Sequence, residues 1–135
     1  MKNKKYLTIL FIFVIMILLS GCQKKIGIGS KNLYETYYGL NINEVRKKAP
    51  VFIDMVGSDG DGFIIVDEKG GFGLMLELRQ NQVASLMVTY NPSYGDKKQA
   101  ELILNPPSDA KCYESQSSGN LLQEGWVYYR CKSEK

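Results

Sequence analysis

Residues 72–90 read Phe72-Gly73-Leu74-Met75-Leu76-Glu77-Leu78-Arg79, then Gln80-Asn81-Gln82, then Val83-Ala84-Ser85-Leu86-Met87-Val88-Thr89-Tyr90. In the first run Phe72, Leu74, Leu76 and Leu78 fall on every second position, the period at which a strand returns side chains to one face. The polar trio 80–82 reads as a turn. The second run alternates again, with Ala84, Leu86, Val88 and Tyr90 opposite Val83, Ser85, Met87 and Thr89. Just upstream, Phe63-Ile64-Ile65-Val66 is β-branched and bounded by glycines. Gly70-Gly71 then stands where a tight hairpin turn demands positive φ. The expectation is a three-stranded antiparallel meander with one buried face.

N-terminal to the meander the pattern changes period, although β character begins at Val51. Asn41-Ile42-Asn43-Glu44 has the form of a helix start, with Asn41 at the N-cap and Glu44 three residues on as in a capping box. Ile42, Val45 and Ala49 share a helical face, and Pro50 ends the segment because the residue before proline leaves the α region. Leu33, Tyr34, Tyr37 and Tyr38 fit positions i, i+1, i+4 and i+5 of a preceding short helix, so a helical hairpin is predicted across 31–49. C-terminal to the meander, Asp96 to Leu104 reads as a helix, with Asp96 as N-cap and Gln99 three later, although Leu102-Ile103-Leu104 also suits a strand. Pro106-Pro107 breaks that element. Ala110–Glu114 and Gly125–Lys132 read as two further strands around a Ser/Gly/Asn loop. The fold class is therefore α+β: short helices on one face of an antiparallel sheet, made of the meander and a C-terminal strand pair.

The first 21 residues have a different character. Lys2, Lys4 and Lys5 precede an apolar run from Tyr6 to Leu19, about 14 residues broken only by Thr8. At ~1.5 Å per helical residue the run reaches ~20 Å, short of the ~30 Å hydrocarbon core a stable span needs. A signal-peptide h-region fits better than a membrane anchor. Leu19-Ser20-Gly21-Cys22 follows directly, and it resembles the lipobox of bacterial lipoproteins. The resemblance implies a diacylglyceryl thioether on Cys22, cleavage before it and acylation (palmitate-type) of the new amine. That exceeds the two signals needed for stable anchoring. Gln23 stands where inner-membrane retention in enteric-type systems places Asp, which implies the periplasmic face of the outer membrane in a Gram-negative host. The organisation expected is signal 1–21, a lipidated and flexible Gly-containing tether 22–32, and one domain 33–135.

Charge and cysteine content follow from that division. The chain carries 17 Lys+Arg against 14 Asp+Glu, and loss of Lys2, Lys4 and Lys5 with the signal leaves the two balanced. A neutral domain with no basic stripe is a poor candidate for nucleic acid or for electrostatic docking to anionic lipid. Once Cys22 is lipidated, Cys112 and Cys131 remain, an even count in an oxidising compartment, which reads as a disulfide bridging the two C-terminal strands.

Chemistry is limited by what the chain lacks. It has no His, so Ser-His, Cys-His and His-metal catalysis are excluded. No GxSxG, SxxK or P-loop pattern occurs, and none of the 14 acids is singled out as a catalytic pair. Placing Gly62 at position 6 of an EF-hand loop puts Asp59, Asp61 and Glu68 at ligand positions. Position 1 is then Gly57, and Lys69-Gly70-Gly71 cannot support the exiting helix. A Gly/Asp turn entering a strand is the better reading, and no metal or cofactor is expected. The aromatic groups Tyr34/Tyr37/Tyr38 and Trp126/Tyr128/Tyr129 are core packing or interface anchors. Trp126, Tyr128 and Arg130 share one strand face, and with Tyr37 and Tyr38 they are the candidate partner-binding residues.

Gly39-Leu40-Asn41-Ile42-Asn43-Glu44-Val45, with Pro50 and the meander, resembles the BamE/SmpA-type small outer-membrane assembly lipoproteins over about residues 33–90. The departures are Lys48 in place of an apolar residue, a missing Leu-Gly-x-Pro close, and the 91–135 extension. The resemblance implies helices packed on one face of a sheet. The function expected is a non-catalytic binding or assembly accessory whose partner is another envelope protein, and no enzyme. The alternative is an immunity or inhibitor lipoprotein that neutralises an exported toxin or hydrolase.

Overall fold

The structure is a computed structural model that describes residues 24–51, 53–119 and 124–134. The signal segment and Cys22 lie outside the described residues. Among the described residues, three short helices, α1 (Leu33–Tyr37), α2 (Ile42–Lys48) and α3 (Lys97–Leu104), accompany six strands: β1 (Ile53–Val56), β2 (Gly62–Lys69), β3 (Phe72–Arg79), β4 (Gln82–Tyr90), β5 (Ala110–Gln116) and β6 (Val127–Ser133). All strands pair antiparallel in one sheet of order β1-β2-β3-β4-β6-β5. The α+β class read from the sequence is thus the observed one, and no described helix is long and apolar enough to cross a membrane.

The two central hairpins have two-residue loops that the backbone explains. Lys69 pairs with Phe72 around Gly70 and Gly71, at φ 61° and 83°, and Arg79 pairs with Gln82 around Gln80 and Asn81, at φ 49° and 65°. Two successive positive φ values match the right-handed twist of the flanking strands. The meander has four strands, one more than expected, because Ile53–Val56 pairs with Ile65–Gly62 as an outer strand. Strand β6 lies between β4 and β5, so it is interior and β5 forms the edge.

Alternation sorts the side chains onto two faces. Ile64, Leu74, Leu76, Leu86, Val88, Tyr129 and Cys131 point to the core, where they meet Leu33 and Tyr37 of α1, Val45 of α2, and Ala100 and Leu104 of α3. Helix α2 starts at Asn41, whose side chain accepts from the Asn43 N–H at 2.9 Å. Glu44 makes no capping box there and instead reaches Lys47 at 3.1 Å. Ala49 leaves the helix at ψ 144°, extended as a pre-proline residue must be. The box expected on α3 does form: Asp96 accepts from Gln99 N–H at 2.9 Å, and Gln99 accepts from Asp96 N–H at 3.0 Å.

One expectation about domain organisation changes. The segment read as a flexible tether is docked over its described part. The Ile26 N–H donates to the Lys48 carbonyl at 2.8 Å, its carbonyl accepts from the Tyr37 hydroxyl, and the Ile28 N–H donates to Asp67 Oδ2 at 2.8 Å. Ile26 and Ile28 also pack on the core. Backbone groups of a Gly-containing segment show no period, so this attachment left no trace in the sequence.

Candidate binding surface

The face of the sheet turned away from the helices carries a continuous row of side chains. Successive pairings run Ile53, Ile65, Met75, Met87, Arg130, Tyr113 across all six strands. A second row, Met55-Phe63-Glu77-Ser85, lies beside it. The centre is closed, with Met75 and Met87 buried, whereas the ends are open: Ile53, Met55 and Tyr113 are 40%, 43% and 42% exposed. Large apolar side chains held open on a strand face are the composition of interface centres, where aromatics, Met and Arg are enriched.

Glu77 sits within this face and is 8% exposed. A carboxylate so placed needs partners, and it has four contacts. Ser85 Oγ donates to Oε2 at 2.6 Å, and Arg79 donates to Oε1 through Nη2 at 2.7 Å and Nε at 3.2 Å. Arg130 Nη1 stands 3.5 Å from Oε2. Burial alone would raise the Glu77 carboxyl, but the Ser85 and Arg79 hydrogen bonds and the Arg130 charge together hold it below its ordinary value. It is therefore ionised and fully engaged at neutral pH, which suits a structural ion cluster better than proton transfer. Arg79 also reaches Asp61 at 3.5 Å, and Arg130 Nη1 donates to the Tyr113 hydroxyl at 3.4 Å, so the cluster ties β2–β3 to the β6–β5 pair.

The residues predicted as a binding group divide between the two faces. Tyr128 and Arg130 lie half-buried on the helix-free face, and Trp126 enters it just before β6, its indole N–H buried with no acceptor among the described residues. Tyr37 is not available to a partner: it is fully buried beneath α1, and its hydroxyl is committed to Ile26. Burial first, and the Asp67 charge second, push that phenol far above its usual range. Tyr38 stays on the helix side, stacked on Tyr34 with ring centroids 5.0 Å apart. The i and i+4 positions both suited a helix face, and spacing alone did not say which tyrosine turned inward. Sequence reading missed Ile53, Met55 and Tyr113, because exposed apolar residues on outer strands carry no burial pattern.

The EF-hand comparison fails on geometry. Residues Gly62–Lys69 are strand, so Glu68 is carried away from the turn. Asp59 Oδ1 accepts from Asp61 N–H at 3.1 Å, and Asp61 Oδ1 accepts from Gln80 N–H at 2.7 Å. The first closes the turn and the second joins it to the β3–β4 loop, and among the described residues no group of three Asp, Glu, Cys or His converges on a metal position. Cys112 and Cys131 are bonded, directly opposite one another on β5 and β6 with Cα atoms 4.2 Å apart.

Comparison of the chain with known family signatures, curated proteins and solved structures finds no match to any of them.

Proposed function

We propose that the chain is a bacterial lipoprotein, anchored through acylated Cys22 to the periplasmic face of the outer membrane, that acts by binding another envelope protein and performs no catalysis. The observation that carries the binding reading is the row Ile53-Ile65-Met75-Met87-Arg130-Tyr113, whose apolar and aromatic ends are exposed while its Arg130 and the neighbouring Glu77 neutralise one another. A surface of this kind gains from desolvation on docking and leaves no charge stranded. The lipobox Leu19-Ser20-Gly21-Cys22 supports the anchor, and the resemblance to BamE/SmpA-type proteins over 33–90 bears on the fold more than on the role.

The two halves of this reading are tested separately. Cys22→Ala should accumulate as an unprocessed precursor, and a correctly cleaved, soluble product from that variant would refute lipidation. Affinity purification of the lipidated protein from mild detergent should recover an envelope protein in stoichiometric amount. Met55→Asp, which changes an exposed side chain, should lose that partner while leaving the fold intact. Recovery of the lipoprotein alone would overturn the assembly role and favour the immunity or inhibitor alternative, whose target another cell makes.

A further inference from the structure

Net charge conceals where the cations sit. The docked segment 24–31 walls a cleft of about 780 Å³ together with Pro50, Asp67 and Lys69. Four of its lining residues are lysines, Lys24, Lys25, Lys31 and Lys69, against the single carboxylate of Asp67, which is already accepting from Ile28. None of the four forms an ion pair with a carboxylate among the described residues. Lys25 donates to the Lys47 carbonyl, and the Lys69 ammonium lies over Gly29.

Two exposed apolar side chains lie near this end, Leu102 next to Lys31 and Tyr94 at the Gly70-Gly71 turn. Leu102 of α3, 72% exposed, lines an adjoining cleft with Gly29–Asn32. Tyr94, 75% exposed, lies over Gly71 in the turn that follows Lys69. Lysines around an exposed Tyr and Leu are the composition of surfaces that rest at a membrane–water interface.

We infer that this end of the domain seats on anionic phospholipid, so that the molecule is held against the bilayer in one orientation rather than swinging on its anchor. The inference rests on the lipid-anchor reading, and chain length supplies the occupant. Ile26 is fixed to Lys48 and Tyr37, and it stands only four positions after Cys22. Extended chain spans at most ~3.6 Å per residue, so Ile26 lies within ~14 Å of an acylated Cys22, and Lys24 within ~7 Å. Screening at physiological salt acts over ~8 Å. Lys24, held that close to an acylated residue, is within the field of anionic headgroups, and it lines one cleft with Lys25, Lys31 and Lys69. Asymmetric placement of the lysines is thus sufficient even though the domain is neutral overall.

The experiment uses the full lipidated protein reconstituted into vesicles of phosphatidylcholine, with or without phosphatidylglycerol. Trp126, the chain's one tryptophan, shares a cleft with Lys69 and the Gly70-Gly71 turn, so its quenching by a lipid spin-labelled near the headgroup reports how closely this end approaches. Quenching should be several-fold stronger with phosphatidylglycerol and weaken in high salt. It should fall to the neutral-vesicle level in the triple variant Lys24→Gln, Lys31→Gln, Lys69→Gln, and drop in Leu102→Glu. All variants should still float with the vesicles. Equal quenching in both vesicle types, or no change in the triple variant, with flotation intact, would overturn the seating while leaving the anchor untouched. Failure of the unsubstituted protein to float would overturn the anchor and the seating together.

Discussion

Glu77 shows how one residue converts a sheet face from an aqueous surface into an organised one. Strand alternation places it between apolar rows, and burial there opposes its charge. Ser85, Arg79 and Arg130 offset that opposition by direct contact at 2.6, 2.7 and 3.5 Å. Because the folded carboxyl is held below its ordinary 4.5, its stabilisation is complete above the unfolded pKa and is lost as pH falls through the lower folded value. Glu77→Gln should therefore cost about 2 kcal/mol at neutral pH, where it leaves two guanidinium groups without their carboxylate. It should cost much less at a pH below the lowered folded value, where the native carboxyl is itself protonated. Urea unfolding of both proteins at the two pH values checks this, and a pH-independent difference would contradict the ionised cluster.

At the scale of elements, the sequence was most legible where burial is one-sided and local. The alternation of 72–90 gave β3 and β4 with their faces, Gly70-Gly71 gave a turn, and Asp96 with Gln99 gave the start of α3. It was least legible where partners are distant or water covers both faces. Strand β1 has three exposed residues of four, so nothing in Ile53–Val56 marks an inside. The insertion of β6 between β4 and β5 is a non-local choice that no window of sequence contains. The disulfide was legible both as a pair and as a bridge between the two C-terminal strands, but not which of the two is the edge: it fastens edge strand β5 to the interior strand β6, with the Tyr90 hydroxyl donating to Glu114 at 2.5 Å. Removing it with Cys112→Ser/Cys131→Ser should cost about 3 kcal/mol for a closed loop of this size. The melting temperature should drop by roughly 15 °C for a domain near 100 residues. Hydrogen exchange should rise first at 110–116, with β2–β4 holding. Uniform loss of protection across the sheet would mean that β5 is not the separable edge the strand order implies.

For the whole molecule, the candidate surface and the membrane-proximal end adjoin where Trp126 and Lys69 share a cleft, and each escaped the sequence for its own reason. The binding row is assembled from six strands in an order the sequence does not display. The basic end is invisible to a charge count, because lysines from the N-terminal segment and from β2 meet only after folding. What holds that end together is a small set of contacts between residues far apart in the chain, of which Asp67 to Ile28 N–H spans 39 positions. Asp67 thus couples the core to the chain leading toward Cys22. Asp67→Asn keeps the shape but replaces a charge-assisted acceptor with a neutral one, and Asp67→Ala removes the acceptor. The expected series is a modest rise in amide exchange at Ile28 for Asn and a larger one for Ala, about tenfold for a loss near 1.4 kcal/mol. Exchange in β3 and β4 should be unchanged. A longer free tether also lets the domain stand away from the vesicle, so headgroup quenching of Trp126 should fall in the same order as exchange at Ile28 rises. If exchange rose and quenching did not change, the lysines would be held near the lipid by something other than the docked segment.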